Sequence, residues 1–292
     1  MPVFQTPFDE SGDINATDLA NEIDWLFANG AHGVVFAMVS EVLRMSSEER
    51  DSVAALACKL VDGRGPVVIS VGAESTHTAV RHARRAEDAG ATAVMATPPN
   101  LHPVGEDALL EYFTRIAAEV QTPLIVQDAS GYVGASLSVE FQMRLHRELG
   151  DRVLFKPEAP PVGPRLSRLM AGTSDRARIF EGTGGLYLID SYHRGAIGSM
   201  PAADLVWAVA ALWNALTSDD LKRAYRIAGP LAQIVSLQTS LDSYVAIEKH
   251  LLVLQGVLTT SLMRDPVGEV LDEHSVQEIE RLFGLLRAAV DA

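Results

Sequence analysis

The sequence contains a single cysteine, Cys58, among its 292 residues, so an intrachain disulfide is excluded. It also has no run of about 18 apolar residues, the length that a transmembrane helix requires. No basic segment followed by a short apolar stretch stands at its start, so we expect no signal peptide. Together these absences predict a protein of the reducing cytoplasm.

Positive charge is scarce. The chain has 24 lysine and arginine residues against 38 aspartate and glutamate residues, which gives a formal net charge of −14. A surface of this sign repels the phosphates of nucleic acids and of anionic membranes, so we expect neither as a partner. Backbone amides and single cations can still bind a small anion locally. The predicted partner is therefore a small molecule.

Several signatures of catalysis and cofactor binding are missing. The eight histidines are scattered and show none of the spacings that hold a zinc ion. There is no Gly-x-Ser-x-Gly motif. The glycine-rich stretch 181–185 matches neither the phosphate-binding loop nor the dinucleotide fingerprint. We therefore expect no metal ion and no cofactor.

The chain does contain an alternation of short apolar runs with amphipathic, helix-like runs. Strands that are apolar on both faces and alternate with helices are typical of a parallel sheet covered by helices. The number of repeats suits a closed (β/α)8 barrel better than an open sheet. The apolar runs are 3–5, 33–37, 66–71, 91–96, 123–126, 152–155, 178–180 and 195–200.

The remaining residues have the spacing of further helices, predicted at 219–237, 241–258 and 275–290. No stretch rich in glycine, serine or proline separates them from the preceding part. The sequence therefore predicts one domain over residues 1–292. Residues 1–215 form a (β/α)8 TIM barrel in this prediction, and residues 216–292 are extra C-terminal helices packed on it.

In such a barrel the site lies at the carboxyl ends of the strands, where polar residues follow the apolar runs. Lys156 stands out because lysine is rarely buried, and a desolvated lysine is available as a neutral nucleophile. Glu158 projects to the same side if the strand continues. A salt bridge between the two at the barrel rim is the alternative. The other candidates by position are Thr6, Ser40, Glu41, residues 97–100, Gln127, Asp128, Glu181, Gly182, Thr183 and Ser199.

Six segments in chain order carry a resemblance to a known family. They are Thr-Pro-Phe at 6–8, Ala-Met-Val-Ser-Glu at 37–41, Thr-Pro-Pro at 97–99, Pro-Leu-Ile-Val-Gln-Asp-Ala-Ser-Gly at 123–131, Leu-Phe-Lys-Pro-Glu-Ala at 154–159 and Gly-Ala-Ile-Gly-Ser at 195–199. Together they resemble the dihydrodipicolinate synthase/N-acetylneuraminate lyase family of class I aldolase-type barrels. The resemblance implies that Lys156 forms a Schiff base with a small 2-oxo acid, without a cofactor. It also implies a homo-oligomer, either a tetramer or a dimer.

Departures from the family pattern bear on the reaction. The family's catalytic tyrosine falls on Gln127, whose amide does not titrate and cannot be a general acid or base. The proton relay of the synthase is therefore absent, which argues against dihydrodipicolinate synthase activity. Other family positions are also replaced, namely the threonine pair by Met38 and Val39, a tyrosine pair by Asn100 and Leu101, and a dicarboxylate-binding arginine by Tyr132.

The segments around Ser40, Gln127 and Lys156 are similar to one branch of the family, the 2-keto-3-deoxy-sugar-acid dehydratases of the L-2-keto-3-deoxyarabonate type. This resemblance predicts a lyase in which Lys156 forms the imine and loss of water gives a semialdehyde. Glu158 is our candidate for the proton transfer that this reaction needs, and an ion pair with Lys156 or a surface arginine is its alternative role. The alternatives are a class I aldolase that releases pyruvate, a non-catalytic 2-oxo-acid binding protein, and a scaffold barrel that has lost the site. The predicted substrate contacts are Val39, Ser40, Gln127, Asp128, Thr183 and Ser199.

Overall fold

Parallel strands form the centre of the molecule. The computed structural model describes residues 1–101, 104–131, 134–268 and 270–292. Strands β1 to β5 pair in chain order, and β6 pairs with β7. The strands are β1 (Val34–Phe36), β2 (Val67–Ser70), β3 (Ala93–Ala96), β4 (Leu124–Asp128), β5 (Val153–Pro157), β6 (Phe180–Glu181) and β7 (Gly198–Ser199).

Isolated bridges close these strands into a ring. Val3 pairs with Val35 of β1 on one side and with Ala202, just after β7, on the other. Phe155 of β5 pairs with Ile179, just before β6. The ring confirms the predicted (β/α)8 barrel.

The first predicted strand, residues 3–5, contributes bridges instead of a continuous ladder. Pro2 and Pro7 flank this segment and have no N–H group with which to extend the pairing. The segment is still held at both of its edges, since the Phe4 amide donates to the Val35 carbonyl at 3.0 Å and the Val3 amide donates to the Pro201 carbonyl at 2.8 Å.

Helices follow the strands and cover the barrel. Several begin at a polar residue that caps their free amides. The side chain of Asn15, for example, accepts hydrogen bonds from the first turn of α1, and Ser46 does the same for α2. The helices are α1 (Ala16–Ala28), α2 (Ser47–Val61), α3 (Thr76–Asp88), α4 (Glu106–Glu119), α5 (Val139–Leu149), α6 (Val162–Gly172), α7 (Leu188–His193), α8 (Val206–Thr217), α9 (Leu221–Val235), α10 (Leu241–Leu254) and α11 (Glu273–Asp291).

Alternate side chains of the strands fill the interior of the barrel. Ile125 and Leu154 belong to this inner cluster, and each lies two residues before a polar residue, Gln127 or Lys156. Because side chains alternate along a strand, Gln127 and Lys156 also point inward. The other buried members of the cluster are Val3, Val35, Ala37, Val68, Ala93, Met95 and Met200.

The C-terminal helices correspond to the three that the sequence predicts. α9 and α11 pack on each other and on α8, and their apolar faces share one buried cluster. α10 instead contacts the 3₁₀ turn Met38–Ser40, at the carboxyl end of β1. Within the described ranges, no helix is long and apolar enough to cross a membrane. The division at residue 215 falls inside α8 and stays a prediction.

Candidate active site

Lys156 lies inside the barrel near the carboxyl end of β5. The residue is only 4% exposed, and it is paired in register with Gln127 of β4. β5 continues through Pro157, so Glu158 falls on the same side of the chain as Lys156. Lys156 Nζ lies 3.1 Å from Glu158 Oε1. The pair is therefore an interior one and not an exposed salt bridge at the rim.

Glu158 is the second charged group of this pair. Its Oε1 also accepts a hydrogen bond from Gln127 Nε2 at 2.8 Å. Burial raises the pKa of Glu158, and the negative charge of Glu181 adds to the rise, whereas Lys156 and the Gln127 amide oppose it. A carboxyl group whose pKa lies above its usual range is suited to both accepting and returning a proton.

Gly182, which follows β6, packs directly against the pair. A Cβ atom at this position would lie 2.6 Å from Lys156 Cε and 2.9 Å from Glu158 Cγ. Both distances are too short for unstrained packing. The lysine therefore has its present position because residue 182 carries no side chain.

A cavity of about 20 Å³ opens beside Lys156, and we call it the lysine chamber. A second cavity of about 200 Å³, the outer chamber, shares Met38 and Gln127 with it. The two together form the candidate active site. The lysine chamber is lined by Val3, Ala37, Met38, Val39, Gln127, Lys156, Glu158, Gly182, Met200, Pro201, Ala202, Leu241 and Tyr244. The polar lining of the outer chamber is Arg50, Ser70, Glu74, Thr97, Asn100 and Gln127.

A larger cavity of about 470 Å³ lies at the opposite end of the strands, where Pro66, Pro123 and Arg178 precede β2, β4 and β6. None of its described lining residues is a lysine, an aspartate or a glutamate. Imine chemistry needs an amine and a proton-transfer group. The smaller site places an amine and a carboxylate 3.1 Å apart, in Lys156 and Glu158, whereas the Met1 amino group of the large cavity donates to the Ser199 carbonyl, so we assign the candidate active site to the smaller one despite the difference in volume.

Two of the predicted substrate contacts, Val39 and Gln127, line the lysine chamber. The other four are not among the described residues that line this chamber, and their side chains bond to other groups. Their role as substrate contacts stays a prediction. These four residues are Ser40, Asp128, Thr183 and Ser199.

Ser40 and Asp128 bond to the backbone at the carboxyl ends of strands. The Ser40 hydroxyl donates to the Phe4 carbonyl and accepts from the Ala37 amide, which fixes the turn after β1. Asp128 accepts from the Leu137 amide at 3.0 Å. Both side chains therefore hold the loops that surround the site.

Thr183 and Ser199 are joined through Glu181. The Glu181 carboxylate accepts hydrogen bonds from the Thr183 hydroxyl, from the Gly185 amide at 3.2 Å and from the Ser199 hydroxyl at 2.7 Å. Ser199 lines the large cavity at the other end of the barrel. The three residues brace the loop that carries Gly182, behind the lysine.

Sequence reasoning missed Tyr244, which reaches the lysine chamber from α10 and is 5% exposed. It lies in a helix assigned to the C-terminal extension, so no spacing rule linked it to the strand ends. Lys249 on the same helix was missed as well. It is fully buried, with Nζ 2.6 Å from Glu41 Oε1 and 2.8 Å from the Thr6 carbonyl oxygen.

The family's tyrosine pair and arginine fall on residues near the site in the resemblance, namely on Asn100, Leu101 and Tyr132. Asn100 lines the outer chamber, and the backbone amides of Asn100 and Leu101 donate to the Glu74 carboxylate at 2.9 and 3.0 Å. Tyr132, on which the family's arginine falls, lies outside the described residues. Across the described ranges, no group of three or more histidine, cysteine, aspartate or glutamate side chains is arranged to hold a metal ion.

The fold and the site define a (β/α)8 barrel with a buried lysine–carboxylate pair at the carboxyl ends of its strands. Residues 1–283 match the Dihydrodipicolinate synthetase family, and the chain belongs to that family. The named relatives in the family include a dehydratase and synthases, which supports a lyase.

Individual relatives are distant. The chain is 27% identical to the L-2-keto-3-deoxyarabonate dehydratase of Azospirillum brasilense over 92% of its own length and 88% of that protein's. It is 30% identical to the 4-hydroxy-tetrahydrodipicolinate synthase of Bacillus subtilis over 63% of each chain. The fold is similar to that of YagE, a prophage protein of this family from E. coli K12 solved with pyruvate. The TM-score is 0.89 at 22% identity, over 98% of this chain and 97% of that one.

Proposed function

We propose that the chain is an imine-forming lyase that acts on a small 2-oxo acid. We further propose that it dehydrates a 2-keto-3-deoxy sugar acid of the L-2-keto-3-deoxyarabonate type to a semialdehyde. The observation that carries the proposal is the 4% exposed Lys156, whose amine lies 3.1 Å from Glu158 at the wall of a chamber. YagE was solved with pyruvate, a 2-oxo acid, which supports the first statement, and one relative that matches 92% of the chain is a dehydratase, which supports the second.

Lys156 is the nucleophile in this mechanism. Its neutral amine attacks C2 of the 2-oxo acid, and loss of the C2 oxygen as water leaves an iminium ion. The iminium withdraws electrons from C3, so a C3 proton becomes acidic. Covalent catalysis of this kind divides one difficult elimination into easier steps.

Glu158 accepts that C3 proton. Its Oε1 is already within 3.1 Å of the lysine nitrogen, so it lies next to the carbons that flank the imine. Its raised pKa makes the carboxylate a better base than an exposed glutamate. Removal of the proton gives an enamine, and the enamine expels the C4 hydroxyl group as water.

The turn Met38–Ser40 is the proposed contact to the substrate carboxylate. Met38 and Val39 form part of the lysine chamber, and the first amides of a helical turn have no partner within the turn. Such amides bind anions without a charged side chain. The terminal C5 hydroxyl group of the substrate then extends past Gln127 into the polar outer chamber, and its C4 hydroxyl group stays in the lysine chamber.

The same site gives no support to dihydrodipicolinate synthase chemistry. Gln127 occupies the position of the family's tyrosine and serves instead as a donor to Glu158. Its amide cannot relay a proton. The residue that differs from the synthase, Gln127, is therefore the one that contacts the proposed base, Glu158.

The proposed assembly is a homo-oligomer, either a dimer or a tetramer. Two large apolar side chains next to the outer chamber are exposed, Leu43 by 55% and Leu101 by 74%. Burial of such side chains against a second copy would remove apolar surface from water. Light scattering on the purified protein measures the assembly, and a monomer at all concentrations contradicts this part of the proposal.

Borohydride trapping tests the function. The protein is incubated with pyruvate and with 2-keto-3-deoxy pentonates and hexonates of both hands, borohydride is added, and the intact mass and products are measured. We expect a substrate-dependent adduct and a semialdehyde product. Lys156→Ala abolishes both, whereas Lys59→Ala, which changes an exposed lysine on α2, changes neither.

Each other outcome selects a different function. Release of pyruvate from a longer substrate identifies an aldolase. An adduct without turnover identifies a 2-oxo-acid binding protein. No adduct with any compound of the panel overturns the proposed imine chemistry.

A further inference from the structure

We propose that Tyr244 is the second proton-transfer residue of this site and protonates the departing C4 hydroxyl group of the substrate. The proposal rests on the dehydration proposed above, and it assigns a residue to a step that Lys156 and Glu158 do not complete. In the resemblance to the family, the catalytic tyrosine position is filled by Gln127. Tyr244 supplies a phenol to the same chamber from a different element, α10.

The composition of the lysine chamber leads to Tyr244. Among the described residues that line it, three side chains can exchange a proton: Lys156, Glu158 and Tyr244. Lys156 is consumed as the nucleophile, and Glu158 takes the C3 proton. The other walls are an amide, a glycine and apolar side chains. The phenol is thus the remaining acid in contact with the chamber.

The phenol also reaches the loop that packs on the reacting pair. Tyr244 Oη lies 3.0 Å from the position that a Cβ atom would take at Gly184. Gly184 has a φ of +68°, and it follows by two residues the Gly182 that packs on Lys156 and Glu158. A side chain at either glycine would enter space now used by the tyrosine or by the lysine. The two glycines therefore leave room for these side chains, Gly182 for the lysine and Gly184 for the tyrosine.

α10 holds Tyr244 in place at both ends of the segment that carries it. Its first turn is capped by Ser240 and Ser243, each of which accepts a hydrogen bond from the other's amide. One turn beyond the tyrosine, Lys249 bonds to Glu41 and to the Thr6 carbonyl. A catalytic acid needs this kind of fixed position to be effective.

Tyr244 acts when the enamine loses its C4 hydroxyl group. The enamine electron pair between C2 and C3 forms the C3–C4 double bond while the C4–O bond breaks. The oxygen leaves with its bonding pair and takes the phenol proton, so water and a phenolate form and the C2 iminium is regenerated. The phenolate then removes a C5 proton, and Glu158 returns its proton to C3. Both residues are reset, and the enol that remains becomes the semialdehyde after the iminium is hydrolysed.

The experiment compares Tyr244→Phe with the wild-type protein on an L-2-keto-3-deoxypentonate and on its 4-fluoro analogue. Tyr225→Phe is the matched control, because Tyr225 is 63% exposed on α9. Four quantities are measured: the borohydride adduct, exchange of the C3 protons in D2O, the rate of semialdehyde formation and, for the analogue, the rate of fluoride release. Fluoride departs from C4 without needing a proton from an acid. Loss of a catalytic acid therefore slows only the loss of hydroxide, whereas a general loss of structure slows the reaction of both compounds.

We expect Tyr244→Phe to keep the adduct and the C3 exchange within about twofold and to lose roughly 10²–10³-fold in dehydration rate. We expect its elimination of fluoride to stay within about threefold of wild type, as an acid role requires. Equal losses on both compounds, or an unchanged dehydration rate, overturn the assignment to Tyr244. Absence of an adduct in the wild-type protein overturns the proposed function itself, and the assignment with it.

Discussion

Gln127 and Glu158 are joined by a hydrogen bond of 2.8 Å, from Gln127 Nε2 to the same Glu158 oxygen that lies 3.1 Å from the Lys156 amine. The side-chain nitrogens of Gln127 and Lys156 thus share one carboxylate oxygen of Glu158. The amide lowers the pKa of Glu158, although burial has the larger, raising effect. The residue on which the family's tyrosine falls in the resemblance is therefore one of the groups that tune the proposed base.

Replacement of Gln127 by leucine is the first prediction. Gln127→Leu removes the donor and keeps most of the volume, so the pKa of Glu158 rises further. We expect the acidic limb of the pH profile of kcat/KM to move to higher pH and the rate near neutrality to fall roughly tenfold. Gln277→Leu, at an exposed position of α11, is the control. A profile with an unmoved acidic limb contradicts the role assigned to the hydrogen bond.

Gly182 gives the second prediction. Gly182→Ala adds a methyl group 2.6 Å from Lys156 Cε, so the lysine or the loop must shift. A shift of this size costs roughly 1–3 kcal/mol of stability. We expect a fall of about 10²-fold in the rate of imine formation, because a displacement near 1 Å at a reacting group has this effect. Borohydride trapping against time measures it.

The control for this substitution is Gly284→Ala on α11, where a Cβ atom meets no other atom within 4 Å. That change should leave imine formation as it is and raise helix stability by up to about 1 kcal/mol. If Gly182→Ala forms the imine at the wild-type rate, the close packing around Lys156 has no functional role.

A cluster of buried carboxyl groups gives a prediction about pH and stability. Burial raises the pKa of Glu22 to about 8 and that of Asp204 to about 7, and it raises the pKa of Glu248 well above its usual range. These side chains are fully buried, and Gln5 bonds to two of them, Glu22 and Glu248. Charges that face them are Asp18 and Lys249, the latter paired with Glu41.

The sign of the pH effect follows from these directions. Between about pH 4.5 and 8, the folded protein binds more protons at these groups than the unfolded chain does. These three groups therefore lower the free energy of unfolding as the pH rises through this window, by an amount on the order of a few kcal/mol, and the buried Met1 amino group, whose pKa burial lowers to about 5, offsets part of the fall. Denaturant unfolding at successive pH values measures this slope.

Glu22→Gln tests the contribution of one group. The substitution keeps a neutral side chain at the buried site, so we expect higher stability than wild type at pH 8 and a smaller slope between pH 5 and 8. Glu148→Gln, at an exposed position of α5, should keep the wild-type slope. A slope that is the same in all three proteins rules out Glu22 as its source.

Much of the barrel and one part of the site could be predicted from the sequence, for reasons that particular residues show. β2 to β5 are buried on both faces, so their apolar runs stand out from the helices between them. Lys156 was identifiable because a charged residue ends one of these runs, and Glu158 because strand side chains alternate.

The residues that were not predicted have neighbours in space that the local sequence pattern does not reveal. Tyr244 and Lys249 belong to α10, which contacts the end of β1 although it is far from β1 in the chain. Ser40 and Thr183 follow strands, as site residues do, yet their hydroxyl groups are used to hold backbone and carboxylate groups. The position of a polar residue after a strand predicts at which end of the barrel it lies. Only its hydrogen-bond partners show whether its side chain is available to the chamber.

Lys249 provides the last prediction, which concerns the attachment of α10. Its amine and the Glu41 carboxylate are 2.6 Å apart, and both side chains are essentially unexposed. Lys249→Met removes the cation and leaves a buried carboxylate whose other partners are the Arg264 amide at 3.0 Å and Arg44 at 3.4 Å. Breaking a buried pair in this way costs roughly 3–5 kcal/mol. Urea unfolding measures the loss.

The double variant Glu41→Gln with Lys249→Met separates the charge pair from the packing of the helix. Because it leaves no unpaired buried charge, we expect it to recover about half of the stability that Lys249→Met loses, roughly 2 kcal/mol. Dehydration should fall in Lys249→Met more than borohydride trapping does, since Tyr244 lies on the released helix and Lys156 does not. Equal losses in both assays would show that the pair supports the barrel as a whole and not the placement of α10.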